Sequence, residues 1–231
     1  AFFRKPRMTR IIVGDIESTG LGTDAGIVEI AWIELNDSGE TKASFHSLID
    51  PGIPIPHGAS AIHGITDAMV THEPTIEEFM QMHNYPLQEG EIILVAHNAA
   101  FDFRFFGKHI KNALTPCCTL RLARHIYPDA DNHKLSTLRY YLDLAGAHKD
   151  AHSAMGDVKV LHALLARMGQ DTGLSFTELH ELANSNLPVR KMPFGKHKGV
   201  ALAALDSNYV KWLLTKCENL DENLRFSLNN L

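Results

Sequence analysis

Three cysteines among 231 residues are too few for a disulfide framework. Cys117 and Cys118 are neighbours and Cys217 lies far from both, so the expectation is reduced thiols in a cytoplasmic protein. No Cys-x-x-Cys pair is present, which removes the usual structural zinc site. No apolar run approaches the roughly 20 residues that a membrane span needs. The segment Ala1 to Arg7 has no apolar core of secretory length, and it precedes Met8. Residues 1–7 are therefore set aside as an added remnant or an alternative start. An excess of positive charge is missing too: the net charge is −5. The imbalance is uneven, however. Residues 189–231 hold seven Lys or Arg against four Asp or Glu, a net +3, which leaves −8 on residues 1–188.

What is present is enough apolar material, 45% of the chain, to bury a full core with an appendage. Residues 9–16, 27–35 and 43–49 read as strands, with a turn over 36–40, and form an antiparallel meander. After the proline-rich stretch 50–56 comes a short helix near 58–62, then one from Glu73 to about 83. The continuous apolar run Glu91–Ala96 reads as a central strand buried on both faces. Helices are expected near 100–112, 119–126, 135–144 and 153–168, with a short strand near 115–120. The Gly169 stretch closes the last of these. Ser175 opens a further helix with a Ser-x-x-Glu capping box, and 202–214 and 219–231 read as two short amphipathic helices. This pattern predicts an α/β fold, a mixed sheet flanked by helices, with a small C-terminal helical appendage.

The chemistry concentrates in a few acids. Asp15 and Glu17 stand two apart in an apolar run, so a strand would project both from one face. Two adjacent anions repel, and a strand that tolerates them holds a cation there. Hard divalent ions such as Mg2+ or Mn2+ suit carboxylate oxygens. Asp102 falls in the first turns of the helix after the Glu91–Ala96 strand. Asp157 falls near the start of the 153–168 helix, with His152 five residues before it on the preceding loop. Four carboxylates suffice for two ions roughly 3.5–4 Å apart, the geometry of in-line phosphoryl displacement. A histidine titrating near 6.5 can take a proton from the attacking water.

Two nucleotide-binding readings fail on spacing. Gly14-x5-Gly20-x-Gly22 is not a dinucleotide fingerprint, and Gly195-Lys-His-Lys-Gly199 lacks the Gly-Lys-Ser/Thr ending of a P-loop. Lys196 and Lys198, between glycines, read either as a basic β-turn or as a loop whose backbone approaches a phosphate.

Taken together, Asp15-Ile-Glu17-Ser-Thr-Gly-Leu, Ala96-His-Asn-Ala-Ala-Phe-Asp102 and His152-Ser-Ala-Met-Gly-Asp157 resemble the three motifs of the histidine-containing DEDD (DEDDh, DnaQ-like) 3′–5′ exonucleases. Ala61-Ile-His-Gly-Ile-Thr66 is similar to a further signature of that branch. The tail Met192–Gly199 resembles the C-terminal part of the bacterial exodeoxyribonuclease X branch. The resemblance implies a ribonuclease H-like sheet over residues 8–168, a linker and helix over 169–188, and a small basic region over 189–231. It implies metal ligation by Asp15, Glu17, Asp102 and Asp157, with His152 as general base. Substrate contacts would come from Ser18, Thr19, His63, Asn98 and Phe101, with Lys196 and Lys198 on DNA phosphates. The implied activity is a DNA 3′–5′ exonuclease in repair, releasing nucleoside 5′-monophosphates. Two alternatives stay open: an exoribonuclease of the same branch, because carboxylates do not read a 2′-hydroxyl, and a non-catalytic nucleic-acid-binding or proofreading accessory module.

Overall fold

The structure is a computed structural model, and it describes residues 9–36, 38–83, 91–109, 113–144, 153–217 and 220–231. Five strands form one mixed sheet in the order β3-β2-β1-β4-β5. β1 (Thr9–Ser18), β2 (Ile27–Leu35) and β3 (Thr41–Leu48) are the antiparallel meander, while β4 (Glu91–Ala96) and β5 (Ala113–Cys118) run parallel to β1. A parallel neighbour needs a long crossover. The chain between β3 and β4 includes α1 (His57–His63), α2 (Asp67–Val70) and α3 (Ile76–Met82). The sequence does not anticipate α2, and α3 starts later than expected. Thr75 rather than Glu73 is its cap, in a reciprocal box with Glu78.

The sheet separates two apolar layers. On one side Ile12, Ile16, Trp32 and Leu94 pack with Phe79, Phe105 and Phe106; the two phenylalanines at 105 and 106 belong to α4 (Ala100–His109). On the other, Val13, Ala31 and Val95 pack with Leu122 of α5 (Thr119–Ile126), Leu138 of α6 (Leu135–Tyr141) and Leu161 and Leu164 of α7 (Ala154–Thr172). β2 is buried along its whole length, so its two acids need partners. Glu34 receives Arg10 Nε at 3.0 Å and Lys42 Nζ at 3.0 Å. Glu29 is engaged near the site described below.

α7 does not end at Gly169 as expected. It continues to Thr172, where Gly173 takes the left-handed conformation at φ 72° and donates its N–H to the Gly169 carbonyl. Gly169 stays helical because the following chain lies against it: an added Cβ would meet the Leu174 carbonyl at 3.2 Å. The next helix, α8 (Phe176–Ala183), puts Leu179 and Ala183 into the same core as α7. Asn184 donates to the carbonyl of Pro116 on the outer edge of β5.

The C-terminal region has its own apolar cluster, built on Met192, Leu202, Leu213, Leu220, Leu224 and Leu228. It contains α9 (Ser207–Lys216) and α10 (Glu222–Asn229). Residues 202–204 form a separate 3-10 turn rather than the start of a long helix, because the Asp206 carboxylate caps α9 by accepting from Asn208 and Tyr209 N–H groups. Residues 191–201 fold back on themselves, Met192 N–H donating to the Val200 carbonyl and Gly199 N–H to the Met192 carbonyl. The Asn223 side-chain oxygen accepts from both Arg121 of α5 and the Leu187 N–H, joining this region to the body.

Candidate active site and metal centre

Acids from distant parts of the chain meet above the sheet. Asp15 and Glu17 project from β1 on the face that α7 covers, and Asp157 sits in the first turn of α7. One carboxylate oxygen from each lies within 4.8 Å of the other two. α7 begins where it does because the Ser153 hydroxyl caps it, accepting from Gly156 N–H at 3.1 Å.

Asp102 comes from the first turn of α4 and is 3% exposed. The close approach of α4 to β1 depends on Gly14. A Cβ there would sit 3.0 Å from the Phe106 ring and 3.2 Å from Leu94. The turn before α4 uses Asn98 at φ 73°, a left-handed conformation that asparagine tolerates better than most residues. The Asn98 carbonyl accepts the Phe101 N–H.

The electrostatics are those of a cluster that wants a cation. Burial pushes the Asp102 carboxyl up to about 8, with Glu17 adding to the shift and the Asp102 and Ile16 backbone groups opposing it. Glu17 is raised to about 7 by burial, then by Asp157 and Glu29. Asp15 is raised well above the usual carboxylate range, first by burial and then by Asp102, Asp157 and Glu17. Every donor here is a carboxylate oxygen, with no sulfur or imidazole among the three that converge, and that set fits a hard divalent ion rather than zinc or copper. Asp15, Glu17 and Asp157 are thus a group of the right composition and spacing to hold a divalent metal ion.

The remaining sequence-predicted residues divide. His152 lies outside the described residues. The Ser18 hydroxyl donates to the Gly20 carbonyl and the Thr19 hydroxyl accepts from Gly26 N–H, so both are engaged within their own loop. His63 is buried; its Nδ1 accepts from Ile65 N–H at 3.0 Å, while its Nε2 has no hydrogen-bond partner among the described residues. Burial lowers its pKa. Phe101 is half-buried beside Phe105, with the Arg104 guanidinium 5.5 Å from its ring centre. Arg104 in turn donates to the Leu21 and Gly22 carbonyls, fixing the loop after β1 against α4. Lys196 and Lys198 part company: the Lys196 ammonium lies 5.4 Å from the Tyr209 ring centre, whereas Lys198 lines a groove shared with the body.

One residue that matters here, Glu29, escapes sequence reasoning, while His97 takes the structural role its motif suggests. Glu29, opposite Glu17 across the β1–β2 ladder, accepts the Ala154 N–H at the start of α7 with one oxygen, and its other oxygen lies 2.7 Å from His46 Nε2. His97 bonds through Nδ1 to the Thr119 hydroxyl and through Nε2 to the His133 carbonyl. Burial drops its pKa to about 4, so it is a neutral brace. The sequence signal for Glu29 is its being one of two acids inside a strand that is otherwise apolar.

A five-stranded mixed sheet with these acids on β1 and in the first turns of α4 and α7 defines a ribonuclease H-like nuclease fold. The family model described as "Exonuclease" matches residues 12–165, and the chain belongs to that family. A second model, described as "Putative quorum-sensing-regulated virulence factor", matches residues 177–217. The chain is 32% identical over 233 residues to exodeoxyribonuclease 10 of Escherichia coli K12, covering 96% of this chain and 98% of that one. It is 33% identical to a PolC-type DNA polymerase III of Clostridium perfringens, over 79% of this chain but only 13% of that protein's length. Among solved structures, exonuclease X in complex with 5′ overhanging duplex DNA superposes with a TM-score of 0.61 at 31% identity, covering 76% of this chain and 99% of the other.

Proposed function

We propose that the protein is a 3′–5′ exodeoxyribonuclease that releases nucleoside 5′-monophosphates and serves DNA repair. The observation that carries this reading is the convergence of Asp15, Glu17 and Asp157 within 4.8 Å, beside a buried Asp102. Similarity to exodeoxyribonuclease 10 along nearly its whole length supports DNA as the substrate. The catalytic unit is residues 8–168, joined through 169–188 to the basic region 189–231.

Asp15, Glu17, Asp102 and Asp157 would hold two divalent ions, Mg2+ or Mn2+, Glu17 and Asp157 serving one, Asp102 the other, and Asp15 both. When bound, such ions polarise the phosphodiester and stabilise the leaving oxygen. His152, next to the α7 cap in sequence, removes the proton from the attacking water, which contributes about 10²–10⁴-fold. Ser18 and Thr19 present backbone groups to the terminal sugar, Asn98 and Phe101 flank the last nucleotide, and the buried His63 is a further polar contact. Lys198 meets phosphate.

The test uses 5′-labelled single-stranded DNA, duplex DNA and RNA, each with Mg2+ or with chelator. Stepwise shortening of DNA from the 3′ end with metal, and none with chelator, is the expected result. Preferential loss of RNA would make it an exoribonuclease, and binding of all three without cleavage would make it an accessory module.

A further inference from the structure

The C-terminal region and the body enclose a groove of about 1050 Å³ that the catalytic acids do not use. One wall comes from α5 and residues 126–135, the other from residues 188–193 and 198–199. Its lining includes His97 and Asn98, the turn that leads directly into α4 and Asp102. The groove therefore opens from the same turn that positions the metal centre.

Its charge has a positive surplus after internal pairing. Arg124 pairs with Asp221 at 3.6 Å, and Lys191 with Asp129 at 3.3 Å. Lys134, Arg190 and Lys198 line the groove, are exposed, and have no ion pair within 4.0 Å among the described residues. Asp131 is the one remaining acid on the lining, so the surplus is positive in a chain whose net charge is −5. Between the cations lie apolar groups, among them the buried Ala130 and Met192. A cationic channel with an apolar floor suits a single-stranded polyanion whose sugars and bases also need contact. Its volume lies at the upper end of ordinary ligand pockets, enough for a few nucleotides.

We propose that this groove binds a single-stranded stretch of the substrate strand, upstream of the 3′ end held at the acid cluster, with Lys134, Arg190 and Lys198 on its phosphates. This rests on the exonuclease reading above and adds a second subsite to it. The hairpin 191–201 then has two faces. Lys198 turns to the groove, and Lys196 with His197 packs on Tyr209, the His197 and Tyr209 rings lying 4.5 Å apart.

The experiment compares the full-length parent with Lys134→Ala/Arg190→Ala and with Lys196→Ala. Binding of a labelled 12-nucleotide single strand is followed in chelator across a salt series, and hydrolysis of that strand and of a dinucleotide is followed with Mg2+. For the double variant we expect the log–log salt slope to fall by about 0.7 per lost phosphate contact. Its KM for the 12-mer should rise, while turnover of the dinucleotide stays parental. Lys196→Ala should keep the parental slope. A parental slope and KM in a double variant with parental circular dichroism overturns the groove. Loss of dinucleotide turnover in step with the 12-mer also overturns it, since the residues would then act at the acid cluster. If the parent itself cleaves neither substrate, the exonuclease reading fails, and the salt series in chelator still decides the groove.

Discussion

Glu29 shows how one side chain can hold a site together without facing the substrate. Its two oxygens join three elements: β2, which carries it, β3 through His46, and the first N–H of α7 through Ala154. Removing the carboxylate leaves that buried N–H unpaired, which costs about 1–3 kcal/mol, and frees the α7 terminus that aims Asp157. Glu29→Ala should therefore lower the urea midpoint and the turnover rate together. Glu29→Gln keeps an oxygen for Ala154 and should recover most of both. An alanine variant as stable and as fast as the parent would show that α7 needs no such brace. Sequence reading missed this residue because its partner lies 125 positions away. By contrast, Asp15, Glu17, Asp102 and Asp157 were legible because each sits in a short motif whose spacing fixes a face or a first turn.

At the level of elements, legibility followed the range of the forces. The meander, the buried β4 and the capping box of α8 are local patterns, and the structure contains all three. The misreadings arose where packing overrode a local signal. Gly169 reads as a stop, yet the backbone of residue 174 needs the space its missing side chain leaves, and Gly173 ends the helix instead. Gly14 carries no local signal of its role, which is to let α4 approach the sheet. Gly14→Ala would press a methyl to 3.0 Å from Phe106, an overpacking that costs about 1–3 kcal/mol. Chemical denaturation should register that loss, and isothermal titration should show weaker metal binding as α4 and Asp102 are displaced. An unchanged denaturation midpoint would mean that the α4 packing yields freely.

For the molecule as a whole, the acid cluster sets how stability responds to pH in the absence of metal. Asp102 at about 8, Glu17 at about 7 and the raised Asp15 keep protons that the unfolded chain has already released. The folded state thus binds more protons than the unfolded one, and stability falls as pH climbs toward 8. His97, at about 4, and the depressed His63 and His133 act oppositely, adding stability as pH rises to their ordinary value of 6.5. Above 6.5 that gain is complete and the acids dominate. Thermal melts in chelator should show Tm dropping between pH 6.5 and 8, and divalent metal should shrink or reverse the drop. A flat metal-free profile over that interval would remove the account of a repulsive, cation-seeking cluster. The two outer strands have a different bearing on the molecule's behaviour. On β5, Pro116 brings no N–H to the edge and its carbonyl is taken by Asn184. On β3, every residue stays at least partly exposed, and Lys42 stands beside Glu34. Proline and lysine are what natural sheets place at a margin to deter another chain from adding a strand. Both flanks are thus closed to the runaway strand-on-strand growth that turns concentrated solutions into fibrous precipitate.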